Sequence, residues 1–387
     1  MTSSIAALLF DFEPLLTSLD PHHTYTSTPL SGGLVNLTVR VTISPSAQEH
    51  ECLFKETGST CVAKYAPPYV ATIGENAPFD QFRQIIEARA LTLLNHNSVV
   101  AYTHSPDHNV SVPRLIHHDT TNHVLLMSDL GSDSVTLDHW LVSPNTQIED
   151  AQTAGTRFGS FFANLTQVDP KPLGLDFSNP GARNLIFDVA VRGVQQNLLK
   201  CGIEANEANE LARLVLESFE KMCELQREYP HRCSFSLGDC WPPSFLVLDE
   251  RAEGLAVIDW EFAGMNFQMQ DVGQFAAHLY LLYETSSPAS RATVRAFALS
   301  FLQAHFPKSY MRHYGIVHRA YSWMLFGREL VNNVVEERWF GGDEKKRDEE
   351  MRRLGKIGAG FIKDAMELAG REFVASIPPF EPFFSKL

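Results

Sequence analysis

The apolar residues of this chain change their period once, at the tight segment Asp129-Leu130-Gly131-Ser132, and that change limits the fold more than any other feature. Before it, from about Tyr25 to Asp129, runs such as Leu37-Thr38-Val39-Arg40-Val41-Thr42-Ile43 alternate apolar and polar residues, the pattern of strands with one buried face. After it, apolar residues recur at helical spacing over roughly 150–168, 182–200, 204–228, 270–285, 292–305, 313–335 and 345–370. The expectation is an α+β, two-lobed chain: an antiparallel-sheet N-lobe over 1–130 and a mainly helical C-lobe over 131–387.

Each half carries one exception. In the first, Phe82, Ile85, Ile86, Ala90, Leu93 and Leu94 predict a helix from about Phe79 to Leu94 that packs on the sheet. In the second, Phe245-Leu246-Val247-Leu248 and Leu255-Ala256-Val257-Ile258 flank a polar turn and predict a β-hairpin set inside the helical lobe. The mixed-charge run Asp343 to Arg353 reads as the solvated face of a helix.

Charge and cysteine usage exclude several classes. The 387 residues hold 32 basic and 46 acidic side chains, a net of -14 with no Lys/Arg block, so a nucleic-acid-binding surface is not expected. Such a balance repels ATP, so a nucleotide site would need local cations, metal ions or inward-pointing N–H groups. Cys52, Cys61, Cys201, Cys223, Cys233 and Cys240 show no metal-finger spacing and read as reduced thiols of a cytoplasmic protein. Nowhere do 18 apolar residues follow one another, and Ile5 to Phe10 is too short for a signal-peptide core; neither a membrane span nor a leader is expected. His104 and His108 flank Ser105-Pro106-Asp107, a loop signal, and the other histidine pairs are adjacent, so a zinc site is not expected.

The hairpin has an acidic residue at each mouth, Asp239 before its first run and Asp259 after its second. Two carboxylates facing one cleft suit phosphoryl transfer: one orients the attacking hydroxyl while the other holds metal ions on the phosphates. Read alone, the same two residues also fit a turn and a helix cap. Leu30-Ser31-Gly32-Gly33-Leu34-Val35-Asn36 lies between strand-like runs, where it serves either as a plain hairpin turn or as a cradle of N–H groups for phosphate. Lys64 alternates with apolar neighbours in a short strand and points into the cleft or out of it. Glu87 lies close to the apolar stripe of the first-half helix, where a carboxylate asks for a cationic partner. Pairing it with Lys64 would fix an ammonium beside the α- and β-phosphates.

Together, Ser31-Gly32-Gly33, Lys64, Glu87, Leu237-Gly238-Asp239-Cys240-Trp241-Pro242-Pro243-Ser244 and Ile258-Asp259-Trp260-Glu261 resemble the aminoglycoside phosphotransferase and choline kinase group, which has the protein-kinase-like fold. Within it the chain looks most similar to methylthioribose kinases and fungal small-molecule kinases, hydroxytryptamine kinases among them. The resemblance implies an ATP-dependent kinase acting on a hydroxyl of a small molecule, with Mg2+ as cofactor. Asp239 would be the catalytic base, Asp259 the main Mg2+ ligand, Lys64 the phosphate clamp and Glu87 its partner. Ser31, Gly32, Gly33 and Asn36 would surround the phosphates, and Met127, Ser128, Asp129 and Leu130 would touch adenine. Ser244 and Glu261 would complete the metal set, although Glu261 also fits a place facing a cationic substrate or solvent. Asp271 matches a position that braces the metal-binding loop and, read alone, also fits the cap of the next helix. Trp241, Trp323 and Trp339 would contact the acceptor, although core packing alone also accounts for such large aromatics. Oligomeric state is left open.

Two positions depart from the group's pattern. Leu237 stands where a loop-bracing His is usual, and Ser244 where a metal-binding Asn is usual. Both departures leave room for a second reading, a catalytically weak or inactive nucleotide-binding protein of the same fold.

Overall fold

A computed structural model describes residues 10–30, 33–44, 59–103, 109–267, 269–306, 316–336, 339–340 and 343–370. Ser31, Gly32, Cys52, His104 and His108 lie outside the described residues.

The first half builds a five-stranded antiparallel sheet in the order Thr24–Pro29, Leu37–Ser44, Thr60–Tyr65, Val124–Ser128, Leu115–Asp119. Strand alternation assigns the two faces. Val39, Val41, Ile43, Cys61, Ala63, Val124 and Leu126 form one face and close over Leu16 of the helix Glu13–Leu19 and over Phe12 just before it. Leu125 and Met127 point to the opposite face, where they join Ile86, Leu91 and Leu94 of the helix Arg83–Leu94. Each large apolar side chain so buried contributes about 1.5–3 kcal/mol.

That helix is shorter than the predicted span because Asp80 accepts the Phe82 N–H at 2.9 Å, holding the preceding turn outside the helix. Nearly all of its circumference is buried, including Arg83, Gln84 and Glu87, so its polar residues need internal partners.

The second half is mainly helical, with long helices Ile148–Leu165, Ala205–Glu228, Gln270–Thr285, Pro288–His305, Ile316–Val334 and Glu344–Gly370. The predicted helical stretch 182–200 is present, its α-helical ends Pro180–Ile186 and Val194–Lys200 joined by the wider π-helical segment Phe187–Arg192. Gly155 and Gly159 let the helices Ile148–Leu165 and Pro288–His305 touch backbone to backbone, since a Cβ at either would collide with the carbonyl of Phe297 or Phe301.

The expected hairpin is present, Phe245–Val247 against Leu255–Val257. A second ladder pairs Cys233–Ser236 with Gly264–Phe267. Between these ladders run only two short segments, 237–244 and 258–263, and they carry Asp239 and Asp259.

Candidate active site

Lys64 is the first residue whose direction the sheet decides. Its register partners are Thr38 and Leu125, so it shares the face of Leu125 and points away from the face covered by the N-terminal helix. Its Nζ lies 2.7 Å from Glu87 Oε2 and 2.5 Å from Asp259 Oδ1. Burial alone would lower the Lys64 pKa, but Asp259, Glu87 and Glu261 together hold it above its ordinary value. Burial raises the Glu87 pKa against the opposing pull of Lys64.

Asp259 takes a left-handed backbone conformation, φ 69°, which is uncommon for a residue with a side chain and gathers at functional sites. Carboxylate oxygens of Glu87, Asp259 and Glu261 all lie within 4.8 Å of one another. The Ile258 N–H donates to Ser244 O at 2.9 Å, anchoring Ser244 beside Asp259. Ser244 is buried, and among the described residues its hydroxyl has no hydrogen-bond partner. A buried oxygen without a partner, on a residue hydrogen-bonded to the neighbour of Asp259, suits a hard cation, which takes oxygen ligands.

Asp239 sits at the cleft end of the loop that follows Cys233–Ser236. Gly238 before it has φ 87°, and a Cβ there would meet the carbonyl of Phe262, so only glycine permits this crossing of the two loops. Asp271, heading the helix Gln270–Thr285, accepts the N–H groups of Leu237 at 2.7 Å and Gly238 at 2.9 Å. Of the places open to Asp271 in the sequence, these two hydrogen bonds tie it to the loop of Asp239. Leu237 itself is fully buried in the core, so the loop is held by packing and by Asp271. Burial pushes the Asp239 carboxyl up to about 7, with Gln274 pulling it down and Asp259, Glu329 and Asp271 pushing it further up.

Asn36 and Glu261 meet across the cleft, Asn36 Nδ2 donating to Glu261 Oε2 at 2.7 Å. Met127 is buried at the end of its strand, Ser128 Oγ accepts the Arg114 N–H at 2.8 Å, and half-buried Leu130 follows. Asp129 takes a two-pronged contact from Arg40, 2.6 Å from Nε and 3.0 Å from Nη2. Those bonds and the Gly131 N–H outweigh burial and hold the Asp129 carboxyl below its usual value.

Trp241 and Trp339 flank His278, with ring centroids 6.3 and 6.1 Å from it. Trp323 lies elsewhere, buried and stacked on Phe361 at 5.3 Å between the last two helices. Sequence reasoning missed Gln274, whose Nε2 donates to Asp239 Oδ1 at 2.6 Å. Its signal was spacing: it stands three residues after Asp271, on the same helix face.

A model of a phosphotransferase enzyme family matches residues 27–314. The chain belongs to that family. A 4-hydroxytryptamine kinase of Psilocybe cyanescens is 25% identical over 383 residues, covering 91% of this chain and 97% of the relative. A 4-hydroxytryptamine kinase of Psilocybe cubensis is 25% identical over 294 residues, covering 71% of this chain and 72% of the relative. Solved structures align at lower similarity. An aminoglycoside phosphotransferase of Alicyclobacillus acidocaldarius shares 13% identity at a TM-score of 0.44, covering 92% of this chain and 94% of its own. An amicoumacin kinase solved with AMP-PNP and Ca2+ shares 12% identity at a TM-score of 0.45, covering 92% and 94%. The protein is an ATP-dependent phosphotransferase acting on a hydroxyl group of a small molecule. Among the described residues no helix is long and apolar enough to cross a membrane.

Proposed function

We propose that the acceptor is a flat hydroxylated aromatic amine of the hydroxytryptamine kind, phosphorylated in the cytoplasm in a cleft between an N-lobe over 1–130 and a C-lobe over 131–387. The observation that carries this reading is the pair Trp241, two residues after Asp239, and Trp339, both half-buried and both set against the buried ring of His278, with centroids 6.3 and 6.1 Å from it. The two fungal relatives are named for such an acceptor. The net charge of -14 favours a cationic over an anionic acceptor.

In this reading Asp239, oriented by Gln274, receives the proton of the acceptor hydroxyl as the γ-phosphoryl group transfers in line. Lys64, set by Glu87, neutralises charge on the α- and β-phosphates. N–H groups of Ser31, Gly32 and Gly33 cap the phosphates, and the segment Met127 to Leu130 lies along adenine. Asp259, Ser244 and Glu261 are the residues that would hold Mg2+. When bound, the ion supplies neutralisation of the phosphate oxygens. Trp241 and Trp339 contact the acceptor ring, while Trp323, stacked on Phe361, packs the helical core.

The test is transfer of the γ-phosphate of ATP in the presence of Mg2+ to 4-hydroxytryptamine, with choline and kanamycin as rival acceptors. Turnover of the indole at least tenfold above the rivals, with KM raised in Trp339→Ala, is the expected result. Preference for choline or kanamycin would overturn the acceptor assignment. Thermal unfolding with ATP, with Mg2+ and with both tests the nucleotide site separately. A shift that needs both ligands and vanishes in Asp259→Asn is expected.

A further inference from the structure

Arg83 is completely buried, and its guanidinium spreads over four separate segments. Its Nη2 donates to Pro67 O at 2.7 Å, and its Nη1 to Phe79 O at 3.1 Å and Asp80 O at 2.9 Å. Its Nε lies 3.2 Å from Asn36 Oδ1 and 3.3 Å from Glu261 Oε2, while Asn36 donates to the same Glu261 oxygen. The group also stacks over Phe79 at 4.5 Å. A fully buried cation survives only when its donors are met, and here they are met by Pro67, Phe79, Asp80, Asn36 and Glu261, the last two of which belong to the proposed nucleotide site.

Asn36 closes the glycine-bearing turn, whose carbonyls at Leu34 and Val35 are held by the N–H groups of Thr72 at 3.1 Å and Ala71 at 3.1 Å. Glu261 stands two residues past Asp259. Arg83 opens the helix that carries Glu87 one turn later, on the same face. The triangle Asn36–Glu261–Arg83 therefore touches the segment 33–36, the segment of Asp259 and the helix that sets Lys64.

We infer that Arg83, Glu261 and Asn36 form a positioning latch that fixes the segment 33–36 beside the phosphates of the nucleotide, with Glu261 as its shared acceptor. The inference rests on the nucleotide site proposed above: it gives Asn36 and Glu261 a positioning role beside their places in that site, and gives Arg83 a role that needs no contact with substrate. Arg83 is the centre, because only a planar fork with five N–H groups reaches all four segments. Asn36 is the sensor of the turn. Adenine, lying along the lobe connection, is not held by the latch.

The experiment is isothermal titration of the full chain with Mg·ADP and, separately, with adenosine, which lacks phosphate. Asn36→Ala and Glu261→Gln are each expected to weaken Mg·ADP about tenfold and to leave adenosine unchanged. The double variant should be no weaker than the worse single one, because both act on one contact. Additive losses, or equal losses for adenosine, would overturn the latch. If Glu261→Gln does not fold, Asn36→Ala leaves the Arg83–Glu261 pair in place and decides alone: selective loss for Mg·ADP supports the latch, and equal loss or none sinks it. A wild-type protein that binds adenosine but shows no gain from the phosphates of Mg·ADP removes the latch while sparing the fold. Binding of neither ligand removes the nucleotide site as well.

Discussion

Gln274 spans the loop of Asp239 with one side chain, donating from Nε2 to Asp239 Oδ1 at 2.6 Å while its Oε1 accepts the Cys240 N–H at 3.0 Å. The amide therefore fixes both the direction of the carboxylate and the path of the backbone that carries it. Gln274→Leu should lower kcat about 10- to 100-fold, the range in which a misplaced general base falls, with KM for ATP changed less than threefold. Steady-state kinetics in both substrates checks this; an unchanged kcat would show that Asp239 needs no such support.

The position of Asp239 also sets a pH dependence. Its carboxyl is pushed up to about 7 by burial, against the pull of Gln274. A base works only when deprotonated, so kcat should rise with pH through about 7 and level off above it. A cation beside Asp259 would add positive charge nearby and move this limb to lower pH. A kcat profile from pH 5 to 9 at two Mg2+ concentrations reads both effects.

The same raised group acts on stability with the opposite sense. Asp239 near 7, Glu261 near 7 and Asp271 near 6 all bind protons more tightly folded than unfolded, where carboxyls titrate near 4. Their contribution is present below the unfolded value and lost as pH rises through the folded one. Without ligand, the midpoint of thermal unfolding attributable to them should fall between about pH 4 and 7. The check is the difference between the wild type and Asp239→Asn, whose side chain cannot titrate: the variant's curve should be flatter over that window.

The sheet, the long helices and the hairpin were legible because each rests on local periodicity. Leu37 to Ile43 alternates cleanly, and one register argument then turns Lys64 toward Glu87. The resemblance carried by Lys64, Glu87, Asp239 and Asp259 pointed to phosphoryl transfer, and the structure draws Lys64, Glu87 and Asp259 together. What stayed hidden depends on long-range geometry. Arg83 heads a helix and looks like any N-terminal arginine until Pro67, Phe79 and Glu261 fold around it. Gln274 carries no motif of its own. Leu237 read as a lost support because the compensating Asp271 lies 34 residues downstream.

Lys64 gives the sharpest separation of folding from function. Its Nζ is the cation between Glu87, which is nearly inaccessible, and Asp259, which is one third open to solvent. Lys64→Met removes the charge while keeping much of the stem, leaving Glu87 without its partner. Breaking a buried pair from one side costs about 3–5 kcal/mol, and proton uptake by Glu87, whose pKa is already raised by burial, offsets part of that cost. The variant should therefore lose roughly 2–3 kcal/mol at pH 8 and less at pH 5, because acid neutralises the orphaned carboxyl. Adding Glu87→Gln to Lys64→Met should restore stability without restoring transfer, since the phosphates still lack their ammonium. Urea unfolding at the two pH values, beside a transfer assay, checks both halves; a double variant as unstable as Lys64→Met alone would mean that Glu87 is not the partner that matters.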